Sequence, residues 1–94
     1  MYPPAKLLLN GQTVEVEFGA SLPENQYGEN SPSLGYIKVA PVAAWKYVLL
    51  HELAHMLGEF AGCSPTEEQC DAVAAQVLGL LAHNKAFVRA LLED

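Results

Sequence analysis

The sequence predicts an α+β fold. A small amino-terminal antiparallel sheet, a hairpin plus a third strand, is expected to pack on a helix carrying His51-Glu52-Leu53-Ala54-His55. A second long helix and a short terminal helix follow. Three observations carry this reading. Asn10-Gly11 separates two apolar arms, the pattern of a two-residue hairpin. Apolar residues recur at helical spacing between Val42 and Phe60. Ser64-Pro65-Thr66-Glu67 then reads as a helix start ahead of a second periodic run. With 94 residues, 51% of them hydrophobic, the chain suits one folded domain, 1–94, with a modest core.

The hairpin arms are Ala5 to Leu9 and Gln12 to Phe18. In the second arm Val14, Val16 and Phe18 alternate with Thr13, Glu15 and Glu17, so one face is buried and the other wet. Gly19 to Ser33, rich in Pro, Asn, Gly and Ser, reads as loop. Leu34 to Val39 reads as the third strand, ended by Pro41. In the first helix, Val42 to Phe60, the residues Leu49, Leu53, Met56 and Phe60 form an apolar stripe with Trp45 alongside. His51, His55, Ala44 and Gly58 lie on the other side, and Gly62 is placed to close the helix. The second helix has Ser64 as its N-cap, Pro65 at its first position and Glu67 completing a capping box, and continues to about Ala82. Asn84 then caps a short helix bearing Phe87, Val88, Leu91 and Leu92.

His51-Glu52-Leu53-Ala54-His55 is a complete HExxH. One helical turn separates the two histidines, so their imidazoles project from one face and can grip a single ion, most often Zn²⁺. Glu52 lies about a quarter turn away, where a carboxylate can meet an attacking water without joining the ligands. Val48-Leu49-Leu50 before the motif and Met56-Leu57 after it bury much of the helix, where unpartnered charged or imidazole groups are costly.

A catalytic zinc needs a third protein ligand and an open position. The metzincin pattern would place a histidine three residues after Gly58, but Ala61 stands there. On the second helix Glu67 and Asp71 share the stripe of Cys70, Ala74, Val77, Leu78 and Leu81, while Glu68 points away. Glu67 is the favoured third ligand, against the alternative that it only completes the capping box with Ser64. Asp71 is read as the acceptor for the distal N–H of a ligating histidine, against a role as an early acid favoured by the helix dipole. Glu59 is the next candidate, but His51, His55 and Glu59 span about 12 Å of a straight helix, too far for one ion. His83 lies roughly 24 Å beyond Glu67 along a continuous helix and reads as a surface imidazole.

The formal net charge of −6 and the lack of a Lys/Arg cluster oppose nucleic-acid binding. Lys46 and His51 interrupt the longest apolar region, so no membrane span is expected. Met1-Tyr2-Pro3-Pro4 lacks the charge of a secretory signal, and Leu7-Leu8-Leu9 is too short for its apolar core, which leaves a soluble cytosolic protein as the expectation. Cys63 and Cys70 match no common zinc spacing; a disulfide between them stays open, but free thiols are the favoured reading, with Cys70 packing as a small hydrophobe. No feature fixes an oligomeric state.

HExxH followed by Glu67-Glu68-Gln69-Cys70-Asp71 resembles a gluzincin in its smallest form. The arrangement is similar to the ImmA/IrrE-like metallopeptidases and more closely to short phage-encoded proteins grouped with them. The matching segments are Leu49 to Leu57, Thr66 to Leu81 and Asn84 to Leu92, with a weaker match around Tyr27-Gly28. The resemblance implies that His51, His55 and Glu67 bind zinc, that Glu52 is the catalytic base, and that the substrate is a cytosolic protein or peptide, in the host cytosol if the chain is phage-encoded. Tyr27, Tyr36 and Tyr47 are the available candidates for oxyanion stabilisation. The competing expectation is a non-catalytic, zinc-stabilised module that binds a partner protein. Glu52 favours the enzyme, since a structural site needs no base there.

Overall fold

A computed structural model describes residues 2–3 and 5–93; Met1 and Pro4, part of the start read as uncharged, lie outside it, as does Asp94. The fold is α+β. Strands β1 (Lys6–Leu9), β2 (Gln12–Phe18), β3 (Gly28–Ser31) and β4 (Tyr36–Val39) precede helices α1 (Trp45–Phe60), α2 (Glu67–His83) and α3 (Lys85–Leu92). The sheet order is β1-β2-β4-β3.

The hairpin forms where the sequence places it. Asn10 and Gly11 both take left-handed backbone, with φ of 50° and 76°, as a type I′ turn requires. Leu9 therefore faces Gln12 across the ladder, which turns Val14 and Val16 into the core and Thr13, Glu15 and Glu17 to solvent.

The sheet departs from the expected antiparallel hairpin plus one strand in three ways: it has a fourth strand, its last strand starts late, and one of its pairings is parallel. Gly28–Ser31, read as loop, is an edge strand paired antiparallel with β4. The strand expected from Leu34 begins only at Tyr36, because residues 32–35 form a turn closed by Gly35, whose φ is 72° and whose N–H bonds Ser31 O at 2.8 Å. After β2 the chain crosses to the outer edge and returns inside it, so β4 runs parallel to β2, Glu15 beside Tyr36 and Phe18 beside Val39. Gly-Glu-Asn-Ser lacks the β-branched and aromatic residues that mark strands. Its extended form comes from pairing with β4 and packing against α1.

Helix α1 covers the apolar sheet face. Val14, Val16, Ile37, Val39, Val48 and Met56 are buried together, with Leu9, Phe18, Trp45, Leu49, Leu53 and Phe60 packed around them. The stripe expected on α1 is thus the one that meets the sheet. The helix starts at Trp45 rather than Val42, whose carbonyl accepts the Trp45 N–H across a preceding turn. It ends at Phe60, with Ala61 as the C-cap and Gly62 at φ 79°, Gly62 N–H bonding Glu59 O and Cys63 N–H bonding Gly58 O, a Schellman closure.

Helix α2 then packs back on α1. Its cap is Thr66, not Ser64: Thr66 Oγ1 accepts from Gln69 N at 3.1 Å and Gln69 Oε1 accepts from Thr66 N at 2.9 Å. That box leaves the Glu67 carboxylate free of capping duty. Asn84 also differs from expectation, donating its Nδ2 back to Leu80 O at 3.1 Å and making no side-chain cap for α3. Helix α3 buries none of its residues. Among the described residues no helix is long and apolar enough to cross a membrane.

Candidate metal centre

Two helices and the edge strand bring the site together. Tyr47, His51 and His55 follow one another at intervals of four on α1, and Glu67 and Asp71 do so on α2. Gly58 lets the helices approach: a Cβ added there would lie 2.6 Å from Pro65 Cγ. The proline ring therefore rests on α1 backbone, two residues ahead of Glu67.

The result brings together His51, His55 and Glu67, a group of side chains that can hold a metal ion. Glu67 spans both histidines, with Oε2 2.9 Å from His51 Nε2 and Oε1 2.8 Å from His55 Nε2. The chosen donor atoms all lie within 4.8 Å of one another. Each histidine side chain is less than one-fifth exposed, whereas Glu67 is largely exposed and so can approach from the solvent side.

Asp71 Oδ1 lies 2.7 Å from His51 Nδ1. A neutral His51 has one ring proton, which it can give to Asp71 from Nδ1 or to Glu67 from Nε2; the proton on Nδ1 leaves Nε2 a lone pair for a metal ion. The His51 Nε2–Glu67 Oε2 contact of 2.9 Å is held by that ring proton or by a cation between the two atoms. His55 Nε2 adds an independent sign. It is buried and, despite its closeness to Glu67, makes no hydrogen bond. Buried polar atoms are rarely left so, and a divalent ion would satisfy it. The imidazole and carboxylate donors suit zinc.

Glu52 occupies the floor of the same cleft, which encloses about 510 Å³ and is lined also by Tyr27, Gly28 and Asn30. It is the buried charged residue among those described, 8% exposed. Asn30 Nδ2 donates to its Oε1 at 2.7 Å. A Cβ on Gly28 would meet Glu52 Oε2 at 2.7 Å and Val48 Cγ1 at 2.8 Å, so the strand carries glycine where these side chains of α1 lie against it.

The Tyr47 hydroxyl donates to Asp71 Oδ1 at 2.8 Å. That bond, and His51 behind it, hold the Asp71 carboxyl below its ordinary range; the same bond raises the Tyr47 phenol. Tyr36 is likewise engaged, donating to Glu29 Oε2 at 2.7 Å, which raises its phenol. Of the three tyrosines considered for an oxyanion, Tyr27 lines the cleft and has no side-chain hydrogen bond among the described residues.

The remaining candidates fall outside. Glu59 and His83 are exposed and not part of the cluster. Cys63 and Cys70 are unbridged. Cys70 is buried, and burial, then the nearby Glu67, Glu52 and Asp71, raises its thiol and keeps it an inert packing group. Sequence reasoning missed Asn30 and the true partner of Tyr47. Tyr47 lies one turn before His51, a legible spacing, but nothing local ties Asn30 to Glu52. Comparison of the chain with family models, curated proteins and solved structures gave no match.

Proposed function

We propose that this protein is a zinc-dependent metallopeptidase of gluzincin type, hydrolysing peptide bonds of a protein or peptide substrate. The observation that carries the reading is the convergence of His51, His55 and Glu67 beside the buried Glu52 carboxylate. The similarity of HExxH and the following acids to the ImmA/IrrE-like metallopeptidases agrees with it.

Zinc, when bound by His51, His55 and Glu67, would polarise the scissile carbonyl and acidify the attacking water. Glu52 accepts the proton of that water as its oxygen joins the carbonyl carbon, and returns a proton to the amine nitrogen as the C–N bond breaks. Asn30 donates to Oε1 and Gly28 lies against Oε2, which together fix the orientation of the carboxylate. Asp71 orients His51. Tyr27 is the hydroxyl assigned to the developing oxyanion.

The alternative is a zinc-stabilised interaction module, in which the buried, hydrogen-bonded Glu52 takes no part in chemistry. A single comparison separates the two. Wild-type and Glu52→Gln proteins are assayed for zinc content and for cleavage of a panel of unfolded proteins. The enzyme reading expects about one zinc in each and cleavage by wild type alone. Zinc in both with no cleavage by either selects the module, and equal cleavage by both removes Glu52 as the base.

A further inference from the structure

The side chains between α1 and α2 form a continuous chain of contacts: Tyr47 to Asp71, Asp71 to His51, His51 to Glu67, Glu67 to His55. Four of its members have roles in the proposed centre. Tyr47, at its outer end, has none. We infer that Tyr47 is a positioning residue of the metal centre, setting zinc affinity through Asp71; the inference rests on the metal-centre reading above.

The geometry points to this in three steps. The Tyr47 hydroxyl and His51 Nδ1 meet the same carboxylate oxygen, Asp71 Oδ1, at 2.8 and 2.7 Å. The Asp71 side chain is 55% exposed, so little packing limits its rotation toward water. The second bond to Oδ1 supplies that limit, and a fixed Oδ1 fixes the ring plane of His51 and the direction of its Nε2. Tyr47 itself is half-buried, one turn from His51 on the same helix. A phenol has one proton to donate. Committed to Asp71, it is not free to stabilise an oxyanion, which separates this role from the one considered for Tyr47 in the sequence.

Zinc alone is titrated against a competing chelator into wild type, Tyr47→Phe, Asp71→Asn and the double variant, and thermal unfolding is measured on each metal-free protein. An outer partner of a ligating histidine is worth about 10–100-fold in metal affinity, so Asp71→Asn is expected to lose that much and Tyr47→Phe about 3–10-fold. In the Asp71→Asn background, Tyr47→Phe is expected to have no further effect, because its influence passes through that carboxylate. Metal-free Tyr47→Phe is expected to melt with wild type.

Wild-type affinity in Tyr47→Phe would overturn the inference while leaving the metal centre intact. So would an equal Tyr47→Phe loss in both backgrounds, or a metal-free protein whose melting falls in step with its affinity, which would make Tyr47 a structural tie between helices. Failure of wild type itself to bind zinc would overturn the metal-centre reading and this inference with it.

Discussion

Gly58→Ala separates helix stability from metal affinity. In an exposed helix interior, alanine for glycine adds about 1 kcal/mol of stability. Here the new methyl would stand 2.6 and 2.7 Å from Pro65 Cγ and Cδ. Carbon–carbon contact is comfortable from about 3.5 Å, so the ring must retreat by roughly 0.9 Å. A proline ring cannot rotate aside, so the retreat carries the start of α2. Overpacking of this kind costs about 1–3 kcal/mol, which leaves net stability between unchanged and about 2 kcal/mol lower. Glu67 lies two residues farther on. A ligand carboxylate displaced by more than about 0.5 Å no longer sits in a productive geometry, and zinc affinity is expected to fall at least about tenfold. The assay is zinc competition against a chelator, paired with urea unfolding of the metal-free protein. A variant that gains the full alanine increment and binds zinc as wild type does would refute the close packing of Gly58 on Pro65.

Further outcomes follow from the same geometry. With free zinc about 100-fold above its dissociation constant, binding adds about 2.7 kcal/mol, so excess chelator should lower the melting temperature by about 10–20 °C; an unchanged curve after confirmed metal loss contradicts this. Thr66→Ala should cost about 1 kcal/mol in urea unfolding and Ser64→Ala close to nothing, and the reverse order would return the cap to Ser64. Asn30→Ala leaves Glu52 Oε1 without its donor and should lose about 1–3 kcal/mol with zinc content unchanged; an unaltered stability would show that the bond does not form. Glu52→Gln keeps an acceptor for Asn30 while removing a buried charge, so the metal-free variant should be as stable as wild type or more so, and a loss above about 1 kcal/mol would make Glu52 a structural residue.

What the sequence made legible is what local periodicity encodes. Asn10-Gly11 sets a two-residue turn, alternation sets the face of β2, and four-residue spacing sets the pairs His51/His55 and Glu67/Asp71. The cap of α2 was ambiguous because two capping boxes overlap, Ser64 with Glu67 and Thr66 with Gln69. Tertiary structure decides between them: Pro65 is drawn against Gly58, and Glu67 turns to the histidines instead of to the backbone. β3 was illegible for a related reason. Its residues are set by contacts with α1, Gly28 by the approach of Glu52 and Val48 and Asn30 by the hydrogen bond to Glu52, and neither demand resembles a strand signal. The parallel placement of β4 beside β2 depends on that unseen edge strand.

The placement of Glu52 bears on the choice between enzyme and module. The buried residues of α1 are Val48, Glu52 and Met56, one stripe at intervals of four, so the carboxylate stands at the helix position best suited to an apolar side chain. Fully burying a leucine there would contribute about 1.5–3 kcal/mol, whereas a carboxylate must be compensated. Its compensation comes from β3, which supplies an amide donor at Asn30 and, at Gly28, leaves room for both Glu52 and Val48. Both residues are poor strand formers. The fold thus accepts a weaker core stripe and a weaker edge strand in order to keep one carboxylate at the floor of the cleft, beside two histidines. A zinc-stabilised module has no use for that arrangement, since an apolar residue at position 52 would leave His51, His55 and Glu67 in place and strengthen the core. A hydrolase needs a base at that position, and stability given up at a single site for a reactive group is the expected signature of catalysis.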